Sequence, residues 1–489
     1  MNVARRAATG HEKQRSALPD MSGQMASGGI RHMILFVAVV AAVAGFLFGF
    51  DEGVISGAQL ELSKEFSYGV TLEGVMTSAV PLGALVGALL AGRLTAKHGR
   101  RRVLMIASLL FVVGAIIATA TPGIWVLVFA RLILGLAIGL AAIVAPLYLS
   151  ETAPTRSRGV MISAYQLLVT IGILVAYLVN LYYNQFEEWR PMFAWGVLPG
   201  VILLFGAWRI PESPRWLASK GRIAEMRQVL AQLRKDVPEA EVKAEADQIV
   251  ATVESEGRTG SPWSQLFAPA VRPAVVVAMG LFFLQQLSGI NAVIYYAPQI
   301  FGGTGFTGAS GQLLATVGVG VVNVVMTLVA MWLIDRSGRR SLLTIGFTGT
   351  AIGLAMLAYS AAMVSGGATG GLPATLGFVG VVIYIACFAI ALGPIPFVIM
   401  SEVYPLHLRG PGMAMASVAN WGFNYIVVLL FPIALAEVGL DVTFGFFAVI
   451  CALGLVFSLA LVPETKGISL EAIERHLYSG RALRRLGQP

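Results

Sequence analysis

Long apolar runs alternate with short polar ones along nearly the whole chain. Runs able to cross a hydrocarbon layer about 30 Å thick, which takes about 17–25 residues as an α-helix, fall near 33–57, 71–93, 103–121, 123–149, 159–184, 190–209, 271–300, 312–334, 341–363, 373–401, 411–435 and 441–463. In lipid each backbone N–H and C=O must be bonded within its own segment, so these runs are predicted to be helices. The pattern predicts an all-α polytopic membrane protein of twelve transmembrane helices, with an N-terminal six-helix half at 33–209 and a C-terminal one at 271–463. Between them, 210–270 carries AEMRQVLAQLRKD and EAEVKAEADQIVATVES. These stretches have helical periodicity but are too charged to cross, and predict amphipathic surface helices.

The ends are polar. Residues 1–32 hold Arg5, Arg6, Lys13 and Arg15 among glycines and serines and lack the apolar core of a signal peptide, so they predict a disordered tail. The run from Met33 exceeds the roughly 7–15 residues of such a core and should stay as a span. A second tail covers 464–489. Of the 34 Lys and Arg, Lys64 and Arg190 lie in odd-numbered loops and Arg131 inside a span; the others lie in even loops and tails. Positive charge marks the cytoplasmic side, so both termini and the 210–270 linker are predicted to be cytoplasmic.

Composition narrows the function. The chain is 57% hydrophobic and 12% charged, against about 25% charged in soluble domains, and its 55 glycines suit close helix contact in a membrane. A net charge of +8 scattered between spans gives no basic face for nucleic acid. Cys387 and Cys451 sit apart in apolar runs, and the five histidines stand in tails or at cytoplasmic helix ends. Neither a metal set nor a catalytic triad is visible, and there is no phosphate-binding GxxxxGK[ST] loop. The chain reads as no enzyme, with no cofactor.

An internal repeat sets the architecture. SExxPxxxRG occurs at Ser150–Gly159 and again at Ser401–Gly410; Gly99-Arg100-Arg101 returns as Gly338-Arg339-Arg340, and Pro211-Glu212-Ser213 as Pro463-Glu464-Thr465. Parallel repeats of six spans imply a pseudo-twofold along the membrane normal and a site between the halves near the midplane, reached alternately from each side. The repeated acids and arginines lie at cytoplasmic helix ends. Arg100, Glu151, Arg158, Arg339, Glu402 and Arg409 are expected to pair across the seam between halves and latch the outward-open state.

Two full charges fall well inside spans, Asp51 and Arg131. Each costs about 2.5–3.5 kcal/mol at a helix centre, so a mutual pair facing the interior is expected. Such a pair is a switch: Asp51 exchanges its arginine for a proton as the protein rearranges, which makes Asp51 the expected proton carrier. One proton moving down 100 mV and one pH unit supplies roughly 3.7 kcal/mol, enough for a gradient of some 500-fold in a neutral solute. Polar residues in spans supply a matching site: Gln166, Gln285, Gln286, Asn291, Asn323, Asn420, Trp421 and Asn424. Amides donate and accept at once, as a polyhydroxylated ligand needs, and Trp421 can stack on a pyranose face. Gln285 and Gln286 converge with Asn291 only if the helix bends, and Gly289 supplies that freedom. Tyr295 and Tyr296 are gate candidates.

These motifs, with RLILG at 131–135, Pro211-Glu-Ser-Pro-Arg215, Gln285-Gln286-Leu-Ser-Gly-Ile-Asn291, Gly393-Pro-Ile-Pro396 and Pro463-Glu-Thr-Lys-Gly467, resemble the sugar porter family of the major facilitator superfamily from about residue 33 to 467. The resemblance implies the major facilitator fold and sugar contacts at the eight polar positions. It implies proton coupling at Asp51, where facilitative carriers have asparagine. Phe397 lies where many relatives have tryptophan, and Gly393-Pro394 replaces a longer polar turn, leaving hexose, pentose and cyclic polyol open. Ala96 replaces an acid or amide of the family, kept in the second copy as Asp335, which predicts a weaker cytoplasmic contact in the first half. Glu52 also departs from the family and is given no role. The expectation is a secondary active importer of a monosaccharide with a proton, by alternating access. The alternatives are a proton-independent uniporter and a symporter of a cyclic polyol such as inositol. Sugar, proton and lipid bilayer are the expected partners, with a monomer in a bacterial inner membrane.

Overall fold

The computed structural model describes residues 32–154, 158–235, 237–256, 263–334, 336–368, 371–405, 408–468, 470–479 and 481–486. Of the stretch 1–32 read above as a disordered tail, residues 1–31 lie outside the described residues, as do Asp335 and the side chain of Arg158, while His32 begins the first helix. Ten spanning helices are continuous in the hydropathy sense: α1 (Met33–Phe66), α2 (Val70–His98), α3 (Arg100–Thr119), α4 (Ile124–Thr152), α5 (Gly159–Asn184), α6 (Arg190–Arg209), α7 (Arg272–Gly303), α8 (Ala309–Leu333), α9 (Arg339–Ser365) and α10 (Gly371–Val403). The eleventh apolar segment, Arg409–Leu461, has 53 residues, roughly 80 Å as one helix and far more than one crossing needs. Gly439 divides it, with φ 83° and ψ 168°, a backbone that an L side chain resists. The chain turns back there: Gly412 lies against Tyr404 at one end of the bundle, and Leu459 returns to accept from Arg340 at that same end. The two limbs are α11 (409–438) and α12 (440–461), which completes the twelve.

Helix boundaries follow side-chain chemistry less closely than hydropathy suggests. α1 continues nine residues past its predicted end, through Glu61, Lys64 and Glu65, because a helix satisfies its own backbone after leaving lipid. Lys64 bonds Glu61, and Arg190 bonds Glu65 at 2.7 Å, so the charges of that end are paired among themselves. The face turned outward from the bundle is apolar, with Trp125, Phe129, Phe205, Ile352 and Val456 exposed, as lipid requires.

Within the N-terminal half α1 packs along α5 and α2 along α4. Contact is backbone to backbone: a Cβ on Gly49 would stand 1.8 Å from the Val169 carbonyl oxygen, so only glycine lets α1 and α5 approach this far. The most extensive contacts between the halves among the described residues join α2 with α11, α5 with α8, and α1 with α7. The linker forms helices Pro214–Ser219, Ile223–Leu233 and Glu239–Glu256. They dock on the N-terminal half, where Arg234 donates to the Thr152 carbonyl at 3.0 Å and is held by Glu245 at 2.9 Å. Trp216 donates to the Ala96 carbonyl at 3.1 Å. This linker end is the common end of all three sequence repeats.

Candidate functional site

α7 breaks in the middle. Its first piece ends at Leu287, Gly289 takes the left-handed φ of 83°, and the second piece starts at Ile290. The break brings three amides of one sequence stretch to one place, as their spacing requires: Asn291 donates to Gln286 Oε1 at 2.8 Å, and Gln286 donates to Asn420 Oδ1 on α11 at 2.6 Å and, more weakly, to Gln285 Oε1 at 3.4 Å. Gln285 reaches α10, donating to the Leu392 carbonyl at 2.6 Å and the Gly393 carbonyl at 3.3 Å. Those carbonyls are available because α10 opens into a π turn over Phe388–Leu392 before Gly393-Pro394. A proline nitrogen cannot donate back to the preceding turn. Beside this chain of amides, Trp421 is buried, its ring 5.5 Å from that of Phe48 on α1. An aromatic pair from opposite halves therefore flanks the amides.

The remaining predicted contacts are less tightly joined. Asn424, one turn beyond Asn420, is buried with Oδ1 unpartnered among the described residues, an acceptor waiting for a donor. Asn323 on α8 is half-buried and Gln166 on α5 exposed, and no hydrogen bond ties either to the amide chain. Phe397 is 44% exposed and packs edge-on against Phe282 at 4.9 Å, so its ring is engaged by its own half.

Asp51 and Arg131 are both buried, at 2% and 0% exposure. They act on each other through space but form no salt bridge in this conformation. Arg131 Nε donates to the Met76 carbonyl at 3.0 Å, while its Nη1 and Nη2 and the Oδ2 of Asp51 have no hydrogen-bond partner among the described residues. The mutual pair expected from sequence is thus seen apart. Three unused buried atoms of opposite charge are a costly arrangement in a dry interior.

At the end remote from the linker, the seam is closed by contacts between halves. Gln299 donates to Glu73 at 2.7 Å, Tyr177 to the Ile294 carbonyl at 3.0 Å, and Tyr295 to Glu52 at 3.4 Å. A Cβ on Gly74 would stand 2.4 Å from the Leu429 carbonyl oxygen. Both gate candidates reach across: Tyr295 to Glu52 on α1, and Tyr296, packed on Phe431 with its hydroxyl 3.5 Å from the Val428 carbonyl, to the Thr77 side chain on α2. Sequence reasoning missed Glu73, Gln299 and Glu52, and no pattern marks such cross-half partners.

At the linker end the pairing differs from expectation. Arg100 holds Glu151 through Nε at 2.8 Å and Nη2 at 2.7 Å, and Arg339 holds Glu402 through Nη2 at 3.1 Å. Both pairs lie within one half rather than across the seam, because the arginine begins the third helix of its half exactly where the acid ends the fourth or tenth. Ser213 and Thr465 donate to the same two acids. Glu212 accepts from the backbone N–H of Arg100 and Arg101, and Glu464 from those of Arg339 and Arg340, each carboxylate capping a helix start that carries partial positive charge. The repeated Pro-Glu-Ser and Pro-Glu-Thr triplets signalled these two caps, which sequence reasoning left without a role. Arg409 Nε and Nη2 are buried without a partner among the described residues. Arg158, the sixth latch candidate, has its side chain outside the described residues.

A family model described as "Sugar (and other) transporter" matches residues 37–477. The chain belongs to this sugar transporter family. It is therefore a multi-pass membrane transporter and not an enzyme. The galactose-proton symporter of Escherichia coli K12 is 39% identical over 96% of this sugar transporter and 99% of its own length. The D-xylose transporter of Levilactobacillus brevis is 38% identical over 90% and 95%, and the arabinose-proton symporter of E. coli K12 is 38% identical over 94% and 96%. Among solved structures, the inward open conformation of the xylose transporter XylE from E. coli superposes with a TM-score of 0.76 at 29% identity, covering 90% of this chain and 99% of that one. The proton:xylose symporter XylE of the major facilitator superfamily, bound to 6-bromo-6-deoxy-D-glucose, gives 0.75 at 28% identity over 91% and 98%. The sugar transporter thus has the major facilitator fold.

Proposed function

We propose that this sugar transporter imports a hexose or pentose together with a proton, by alternating access across a bacterial inner membrane, with both termini and the linker in the cytoplasm. The observation that carries the reading is the acid Asp51, buried beside the seam with a fully buried arginine that it does not touch. A uniporter has no need of such a pair, and two charges held apart in a dry interior persist only if another state uses them. Symporters of galactose, arabinose and xylose among the relatives support the substrate class.

In this reading the closed seam at the end remote from the linker is the outer gate, and the structure is the inward-facing state. Sugar hydroxyls bond Gln285, Gln286, Asn291, Asn420 and Asn424, with Gln166 and Asn323 joining from α5 and α8 as the halves close on it. Trp421 covers the apolar face of the ring. Asp51 carries the proton inward and gives it up on meeting Arg131. The linker-end clusters of Arg100, Glu151, Arg339, Glu402 and Arg409, with Arg158, are the faces that meet when the inner side closes, and the spare donors of Arg409 find acceptors there. No cofactor enters this scheme, and one chain forms the whole pathway.

The test uses proteoliposomes and labelled D-galactose, D-xylose and L-arabinose. At least one sugar should undergo counterflow, and its addition to de-energised vesicles should make the external medium more alkaline. Asp51→Asn should keep counterflow and lose uphill accumulation. Accumulation by the Asp51→Asn protein, or sugar entry with no change in external pH, would overturn proton coupling.

A further inference from the structure

Next to Asp51 stands a second buried acid. Glu52 is 4% exposed, and among the described residues no cation pairs with it. Its hydrogen-bond partner is the Tyr295 hydroxyl at 3.4 Å, which comes from the opposite half. The other ionisable groups that face it are Asp51 on its own helix and the phenols of Tyr165 and Tyr177 on α5. Tyr165 has a buried hydroxyl with no partner among the described residues, while Tyr177 is committed to the Ile294 carbonyl. Arg131, the buried cation of this region, is turned to the Met76 carbonyl. Among the described residues, the ionisable groups around Glu52 are thus one acid and three phenols, with no positive charge to neutralise a carboxylate.

Position decides what this means. Glu52 lies in the seam that closes the outer side, so opening that seam separates it from Tyr295 and admits water, whereas closing it buries the carboxyl. A carboxylate taken from water into a dry site with no cation costs several kcal/mol, and the group takes up a proton instead. Resting on the alternating-access reading above, we propose that Glu52 is a second proton-binding site, built into the outer gate, which is protonated when the gate closes and releases its proton to the same side when the gate reopens.

This proton differs from the one on Asp51. It enters and leaves through the outer opening, so it does no transport work and leaves the stoichiometry unchanged; it sets how readily the gate shuts. Since the closed state binds the extra proton, closure is favoured by acid and weakened as pH rises.

The experiment reads the gate directly and needs no sugar, so it is separable from the transport assay. Spin labels are placed on cysteines at Ser63 and Thr307, exposed on the outer ends of opposite halves, in a background with Cys387→Ala and Cys451→Ala, and the distance distribution is recorded in lipid nanodiscs from about pH 5 to about pH 8.5. Asp51→Asn is included throughout to remove the first proton. In that protein the closed-to-open ratio should rise by up to about tenfold per pH unit of acidification, the limit for one linked proton. Adding Glu52→Gln should hold the gate closed and abolish the slope, and adding Glu52→Asp should preserve it. A flat profile in the Asp51→Asn protein, an unchanged slope with Glu52→Gln, or loss of slope with Glu52→Asp would each overturn the proposal.

Discussion

In the N-terminal half Arg100 grips Glu151 with two nitrogens and the acid is 4% exposed; in the C-terminal half Arg339 grips Glu402 with one, and that acid is 20% exposed. The remaining parts correspond one to one, Ser213 with Thr465, Glu212 with Glu464, and Arg101 on the Trp208 carbonyl with Arg340 on the Leu459 carbonyl. What differs is the cover. Linker helices lie over the first network, through Trp216 on the Ala96 carbonyl and Arg234 on the Thr152 carbonyl. Among the described residues, Arg409 in the second half keeps two buried donors unused, and Arg339 Nε is unused as well, as Arg101 Nε is in the first. At the position of Ala96 the backbone carbonyl accepts from the linker tryptophan, and its counterpart Asp335 lies outside the described residues. Repetition thus preserved the wiring, while the linker covers the first network and leaves Glu402 of the second more exposed.

The comparison can be broken first at Glu151. Glu151→Gln leaves Arg100 facing a neutral amide in a nearly closed site and should cost about 3 kcal/mol, read as a fall in thermal unfolding temperature in detergent. Glu402→Gln, in the looser and wetter copy, should cost less, about 1–2 kcal/mol; an equal loss at both sites would show that the two networks are equally tight. At the opposite end, Glu73→Ala removes the acceptor of Gln299 across the seam. It should shift the population toward the outward-open form by roughly tenfold, the worth of one charge-assisted hydrogen bond of about 1.5 kcal/mol, detectable with the Ser63 and Thr307 label pair. The smallest effect is expected for Trp216→Phe, which keeps the ring and removes one hydrogen bond, about 1 kcal/mol. No change in unfolding temperature there would mean that the linker covers the first half without bracing it.

Much of the fold was legible beforehand because lipid leaves a chain few options. The apolar runs predicted α1 to α12, and the one place where two spans join in a continuous segment is resolved by the single residue Gly439. The nine-residue extension of α1 was not legible, since Gln59, Glu61 and Lys64 end the apolar run while costing a helix nothing once it is outside lipid. At the site, the break at Gly289 and the convergence of Gln285, Gln286 and Asn291 followed from spacing. Their link to Asn420, 134 residues from Gln286, and the withdrawal of Phe397 onto Phe282 did not, because which side chain a ring meets depends on how separate helices are rotated.

The number of spans, their division into two like halves, and the stock of amides and buried charges were determined by the sequence alone. Each follows from a local rule: a segment in lipid must satisfy its own hydrogen bonds, and repeated residues repeat their local structure. Tertiary structure decided the pairings. It kept Glu151 and Glu402 within their own halves, held Asp51 apart from Arg131, and set Glu52 against Tyr295, 243 residues away. Those choices depend on the relative position of two rigid bodies, a quantity that no stretch of sequence encodes by itself and that changes as the transporter works.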